Sequence, residues 1–136
     1  LKFLLDTNIC IYLLNGNEIL KKKIGEIGIY SLSISNATLA ELYFGAYNSR
    51  NVSANMKRIE TFKKNLIVYS DSSASAEAFG RFKSKLKAQG QIIEDFDILI
   101  ASIAYANECI LVTNNPIHFE RIDEIKIENW MEKDRS

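Results

Sequence analysis

Three acidic residues stand apart from the other charges of the sequence. Asp6 is the only charged residue between Lys2 and Glu18, Glu41 the only one between Glu26 and Arg50, and Asp97 the only one between Asp95 and Glu108. A carboxylate alone in an apolar stretch does not belong to a solvated charged face, and burying it without a partner is costly. Each has an ordinary structural reading. Asp6 directly follows an apolar run and can cap the helix after it. Asp97 can do the same, or Asp95 can cap and leave Asp97 free. Glu41 lies roughly opposite a helical stripe of Leu39, Leu42, Tyr43, Ala46 and Tyr47, so plain exposure is open to it. Taken together, the three acids have another reading. Carboxylates gathered in one place repel one another, and a divalent cation removes that repulsion. Oxygen donors suit Mg2+, with Mn2+ as a substitute. Such an ion can hold a phosphate oxygen and activate water for in-line attack.

A fourth polar site is the stretch Thr113 to Phe119, which offers a hydroxyl, the amides of Asn114 and Asn115, and the only histidine, His118. A turn with asparagine supplying local hydrogen bonds accounts for the amides. A surface imidazole accounts for His118, with a ligand or acid–base role as the alternative.

The elements that must position these residues read as strands alternating with helices. Phe3-Leu4-Leu5 has the short, doubly apolar pattern of a buried strand. Helices are expected over Asn8–Leu14, closed by Asn15-Gly16-Asn17, and over Glu18–Glu26, ending near Gly28. Tyr30–Ile34 reads as a strand. Ser35 or Asn36 can cap a helix running to about Tyr47. After a turn at Asn48–Ser53, a helix over Ala54–Lys64 and a short strand at Leu66–Tyr69 follow. A long helix spans Ser73–Gln89, with Ala74, Ala78, Phe82 and Leu86 at a spacing of four. A nearly all-apolar helix from Asp95 or Asp97 to Asn107 reads as buried, Cys109–Thr113 as the clearest central strand, and Ile125–Ile127 as an edge strand. The alternation predicts an α/β fold: a central, mainly parallel sheet of four to five strands with helices on both faces, in one domain over residues 1–136. In such sheets ligands bind beyond the carboxyl ends of the strands, where Asp6 and Thr113 fall.

Composition narrows the classes. The 136 residues are 47% hydrophobic and 25% charged, and 17 basic residues balance 17 acidic ones. A dedicated duplex binder is usually strongly basic, so nucleic-acid contact here requires a local patch. Arg81, Lys83, Lys85 and Lys87 form the preferred phosphate-contacting candidate, since Arg81 and Lys85 share a helix face. Other clusters are Lys21–Lys23, Lys57-Arg58 and Lys63-Lys64. Cys10 and Cys109 lie in apolar runs without a metal-binding spacing and read as buried free thiols. No run approaches a membrane span, and the apolar start is too short for a signal peptide, so a cytoplasmic protein is expected.

The motifs resemble, in order and spacing, those of the PIN-domain ribonucleases, in particular the VapC-type toxins of bacterial toxin–antitoxin pairs. Phe3-Leu4-Leu5-Asp6-Thr7-Asn8-Ile9 is similar to the first motif, and Ala37 through Gly45 to the second. Asp95 through Ser102 is similar to the third, and Leu111 through Ile122 to the fourth. Ile127-Glu128-Asn129-Trp130 resembles the usual ending. The resemblance implies a three-layer PIN fold and a Mg2+- or Mn2+-dependent endoribonuclease that cuts single-stranded RNA or exposed loops. It places Asp6, Glu41 and Asp97 at the catalytic metal positions, with Thr7, Asn8, Thr113, Asn114 and Asn115 in support. It further implies homodimerisation and inhibition by a VapB-type antitoxin. Many relatives carry an acid in the fourth motif, where this chain has Asn114, Asn115 and His118. That departure predicts one tightly held ion and a weaker second.

Two other classes are consistent with part of the pattern. A PIN-like module that binds RNA or a partner without cutting draws on the missing fourth acid. A phosphoryl-transfer or receiver domain also carries an aspartate after its first strand, although the position two residues on holds Asn8 and not a second acid. No P-loop motif is present.

Overall fold

Parallel strands buried on both faces are short and continuously apolar, and the first strand shows why. In the computed structural model, which describes residues 1–131, β1 (Phe3–Leu5) is buried throughout. Its side chains alternate between two cores. Leu4 packs with Ala78, Phe82, Ile98 and Leu111 on one face. Phe3 and Leu5 pack with Ile9, Leu20, Leu42 and Trp130 on the other. The period of two is the pleat itself.

The remaining elements are α1 (Thr7–Leu14), α2 (Glu18–Ile27), β2 (Leu32–Ser35), α3 (Asn36–Tyr47), α4 (Val52–Lys63), β3 (Ile67–Tyr69), α5 (Ser73–Ala88), α6 (Asp95–Ala106), β4 (Ile110–Val112), the single turn α7 (Pro116–Phe119) and β5 (Ile127–Glu128). The sheet order is β3-β2-β1-β4-β5, and every pairing is parallel. This is the expected three-layer α/β/α arrangement, with five strands. From β1 the chain builds outward to β2 and β3, then returns to lay β4 against the other side of β1. The order reverses between β1 and β4, and the crevice beyond their carboxyl ends is the switch point where such folds bind ligands.

Several expectations are corrected. The stretch Tyr30–Ile34 is not all strand: Ile29–Ser31 forms a 3-10 turn and pairing begins at Leu32. Gly28, at φ 98°, turns the chain out of α2 in a conformation that disfavours a side chain, and Tyr30 is left 95% exposed. In α5 the buried row runs through Ser75, Ala78, Phe82 and Leu86, not Ala74. Ser75 turns inward because its hydroxyl and that of Ser72 form a reciprocal capping box. Neither Asp95 nor Asp97 caps α6. Glu94 occupies the N-cap without a side-chain hydrogen bond, so both aspartates lie in the first helical turn. Tyr47 does not join the core stripe of α3 and stands 67% exposed, as does Phe44 at 71%. The core face of that helix is Ala37, Thr38, Leu39, Leu42 and Ala46. Cys10 and Cys109 are buried free thiols, as expected. Residues 132–136, the end of the expected domain, lie outside the described residues.

Candidate active site at the β1–β4 crevice

Asp6 emerges where β1 ends. Its backbone N–H donates to the Val112 carbonyl at 2.9 Å, which extends the β1–β4 ladder by one residue and pins the side chain over the crevice. The residue is only 5% exposed. Oδ1 accepts from the Thr7 N–H at 2.8 Å, and Oδ2 accepts from the Thr113 hydroxyl at 2.9 Å. The cap reading and the site reading of Asp6 therefore both hold, each using one oxygen. Thr113, fully buried at the end of β4, is itself steered by the Asn115 N–H, which donates to its hydroxyl oxygen at 3.1 Å.

Glu41 reaches the same crevice from α3. It is half-buried, and Oε1 accepts from the Thr7 hydroxyl at 2.7 Å, so plain exposure is not its state. The hydroxyls of Thr7 and Thr38 lie 3.0 Å apart. Thr7 thus links the acid after β1 to the acid on α3, with its backbone on one and its hydroxyl on the other. Thr38 was not apparent in the sequence. The available signal was its position three residues before Glu41, which places both on one helix face.

Asp97 comes from the first turn of α6, and its side chain is 26% exposed. Its carboxyl is pushed up to about 6, by burial first and then by the charges of Asp6, Glu41 and Glu94, with His118 opposing. The Asp6 carboxyl is also raised, mainly by burial. The Thr113 and Thr7 hydrogen bonds pull it back, Glu41 raises it further and His118 lowers it. Asp97 therefore feels both Asp6 and Glu41, Asp6 feels Glu41, and His118 is the one basic side chain named among the influences on both.

His118 is not a simple surface imidazole. Its side chain is 26% exposed, and Nδ1 lies 3.4 Å from Asp97 Oδ2. Asn114 is half-buried beside Thr113. Its amide nitrogen lies 3.5 Å from the Tyr12 hydroxyl, and its amide oxygen is buried without a hydrogen-bond partner. Two candidates make no side-chain hydrogen bond to the crevice residues among the described residues. Asn8 is exposed on α1 and Asn115 is exposed at the start of α7, where only its backbone serves the site.

This donor set fits a hard divalent ion. Burial, with repulsion added, raises Asp6 and Asp97, an amide oxygen nearby lacks a partner among the described residues, and oxygen predominates over nitrogen. Among the described residues, no three acidic, histidine or cysteine side chains stand close enough together to hold a metal ion as placed, so the ion would need side-chain movement, water or substrate to complete its shell. Open coordination positions are what a catalytic site needs, since water and substrate must take part.

The Arg81–Lys87 group, expected to contact phosphate, is largely neutralised in place. Arg81 pairs with Glu77 and with Glu124 at 3.1 Å, and its guanidinium stacks near Phe82 and Tyr105. Lys83 pairs with Asp95 at 3.0 Å, and Lys85 with Asp123 at 3.3 Å. Lys87 makes no ion pair among the described residues. The stripe does not offer the open positive surface that its sequence suggested.

Beside Glu41, a groove of about 300 Å3 runs between α1, α3 and α4, with Ile11, Leu14, Leu42, Ala46 and Ile59 on its walls and Arg58 at its rim. The Arg58 guanidinium donates to the Leu14 carbonyl at the end of α1.

Comparison with known proteins agrees with this architecture. A family model described as PIN domain matches residues 3–125. The chain is 38% identical over 133 residues to Ribonuclease VapC2 of Haemophilus influenzae, covering 96% of this chain and 99% of that protein. It is 35% identical over 130 residues to the tRNA(fMet)-specific endonuclease VapC of Shigella flexneri, covering 96% and 98%. The toxin–antitoxin complex VapBC2 of Rickettsia felis, solved bound to a DNA fragment from its promoter, contains a chain that superposes with a TM-score of 0.90 at 32% identity, covering 96% of this chain and 99% of that one.

Proposed function

Since the chain belongs to the PIN-domain family, we propose that it is a divalent-metal-dependent endoribonuclease, the toxin of a VapBC-type pair, which cuts single-stranded RNA or exposed RNA loops. The observation that carries this reading is the convergence of Asp6, Glu41 and Asp97 on one crevice, where burial and mutual repulsion raise the carboxyls of Asp6 and Asp97.

Asp6 and Asp97 are the residues that would hold the ion, with Glu41 as a third acid on the opposite wall. Bound there, Mg2+ or Mn2+ supplies a Lewis acid for the phosphate and a lowered pKa for water. The chain's own contribution is orientation. Thr113 holds Asp6 Oδ2 and Thr7 holds Glu41 Oε1, so neither carboxylate is free to swing toward solvent. The Asn114 amide oxygen is a buried acceptor with spare capacity, which a small side-chain rotation would offer to a water in the crevice. Burial of Asp6 keeps bulk water from screening the site, so a phosphodiester entering it meets fixed dipoles.

The groove beside Glu41 suits an amphipathic helix of the VapB-type antitoxin. A basic side chain at its end would neutralise the acids and exclude RNA. Pairing with a second copy of the chain and residence in the cytoplasm complete the reading. No helix of the described residues is long and apolar enough to cross a membrane.

The decisive assay uses purified protein, a panel of RNAs that includes tRNA(fMet), and added Mn2+ or Mg2+. Cleavage should require the ion and vanish in Asp6→Asn and Asp97→Asn proteins that keep their circular dichroism. Equal degradation by wild type and Asp6→Asn would leave the fold as a binding module only.

A further inference from the structure

The fourth motif of this chain replaces an acid with neutral groups, and the fold puts the imidazole among them next to a carboxylate. His118 sits on a turn with little freedom. Pro116 at its first position presets the helical φ, the Glu120 N–H donates to the Pro116 carbonyl at 2.8 Å, and Phe119 is sunk in the core at 1% exposure. The ring also leans on Phe119, with centroids 5.6 Å apart. The backbone that carries the imidazole is therefore fixed before anything binds.

The separation from Asp97 is informative. At 3.4 Å, Nδ1 and Oδ2 are too far apart for a strong charge-assisted hydrogen bond, which closes to about 2.7–2.9 Å. Two donors that bind one octahedral ion at about 2.1 Å, on adjacent corners, stand roughly 3 Å apart. At 3.4 Å the pair lies a few tenths of an ångström outside both spacings, and a small rotation of either side chain would bring both donors onto one ion.

We propose that His118 is a nitrogen ligand of the divalent ion, sharing it with Asp97 through Nδ1. The inference rests on the metal-dependent reading above and adds a donor that an all-carboxylate site lacks. A neutral imidazole brings a lone pair without a fourth negative charge, so it completes coordination without adding to the repulsion among the three acids. It also changes preference. Mg2+ favours oxygen, whereas imidazole favours first-row transition ions, in the order Mn2+ below Co2+. The site should therefore discriminate between Co2+ and Mg2+ more than an oxygen-only site does.

Because His118 is the only histidine in the sequence, the test is unambiguous in protein that carries no histidine tag. Pulsed electron paramagnetic resonance of the Mn2+-loaded protein should show coupling to a directly bound imidazole 14N. Labelling histidine with 15N should convert that signal to the 15N pattern with no change of sequence. His118→Asn should abolish the coupling, weaken Co2+ about tenfold in calorimetric titration, and alter Mg2+ affinity less than threefold. Mn2+ bound one to one and weakened by Asp97→Asn, but with no nitrogen coupling, overturns the His118 assignment and leaves the nuclease reading standing. Failure of the wild type to bind Mn2+, or binding indifferent to Asp97→Asn, removes the metal reading and the ligand with it.

Discussion

Two charged regions of this molecule are built on opposite terms. Along α5, Arg81, Lys83 and Lys85 each meet an acid, so the charges cancel locally and most of the pairs remain open to solvent. In the β1–β4 crevice, Asp6, Glu41 and Asp97 meet one another, and burial raises the carboxyls of Asp6 and Asp97. Exposed pairs of the first kind contribute little to stability and are screened by salt. Uncompensated buried charge of the second kind costs stability in the ion-free protein. The contrast teaches that charge left unpaid by the fold, rather than charge abundance, marks the place where a ligand is expected.

The largest effect that would sharpen this contrast is on cleavage. Asp6→Asn or Asp97→Asn should lower RNA cleavage on the order of 1,000-fold or more, as expected when electrostatic stabilisation of the transition state is removed. Single-turnover rates at saturating Mn2+ measure it. Loss of less than tenfold would mean the crevice is not where the chemistry occurs.

Next is the support beneath Asp6. Thr113→Val removes a hydrogen bond to a buried carboxylate, which should cost about 1.5–3 kcal/mol in urea unfolding. The Asp6 carboxyl should rise further, because the Thr113 bond is the largest influence lowering it. An unchanged midpoint would place the two side chains out of contact in solution.

A smaller effect, with a definite sign, concerns Asp97. Its carboxyl is raised from 3.8 to about 6 in the folded protein, so the folded state binds the proton more tightly than the unfolded chain. The stability this confers is complete below about pH 4 and is lost as pH rises through about 6. In EDTA at pH 7.5, Asp97→Asn should therefore be more stable than wild type by about 1–2 kcal/mol, allowing for the partial exposure of the group. The gain should vanish on acidification to pH 4. A variant less stable than wild type at neutral pH would show the ionised acid to be compensated after all.

The smallest effect is expected on α5. Lys83→Glu with Lys85→Glu should change RNA affinity less than threefold and leave its salt slope nearly unaltered, while lowering the unfolding midpoint slightly and less so at high salt. A tenfold loss of affinity with a flatter salt dependence would return the stripe to the RNA-contacting role its sequence suggested.

Much of the framework was legible before any coordinates. Phe3-Leu4-Leu5 and Ile110-Leu111-Val112 read as buried strands because parallel strands are apolar on both faces. The Ser35 cap and the Gly28 stop announced their helices through local backbone chemistry, which needs no distant partner. Errors arose where a local cap or an uncovered helix face overrode a pattern. Ala74 fitted the spacing of α5, but the capping box turned Ser75 inward. Tyr47 fitted the core stripe of α3 yet stands exposed, since helical spacing does not say how far round a helix the cover extends.

Sequence alone determined the donors, their order along the chain and the strand ends that present them, because residue type and short-range periodicity are local properties. The meeting of those donors was decided only by the tertiary structure. Thr113 and Asp6 lie 107 residues apart in the chain, and Thr7 and Glu41 lie 34 apart. The same holds for compensation. Nothing in the run from Arg81 to Lys87 reveals that Glu124 and Asp123 wait across the fold, and nothing around Asp6 reveals that Glu41 acts on its charge or that its own charge acts on Asp97. Coulomb energies depend on separation in space and on burial, and the chain fixes neither until it is folded.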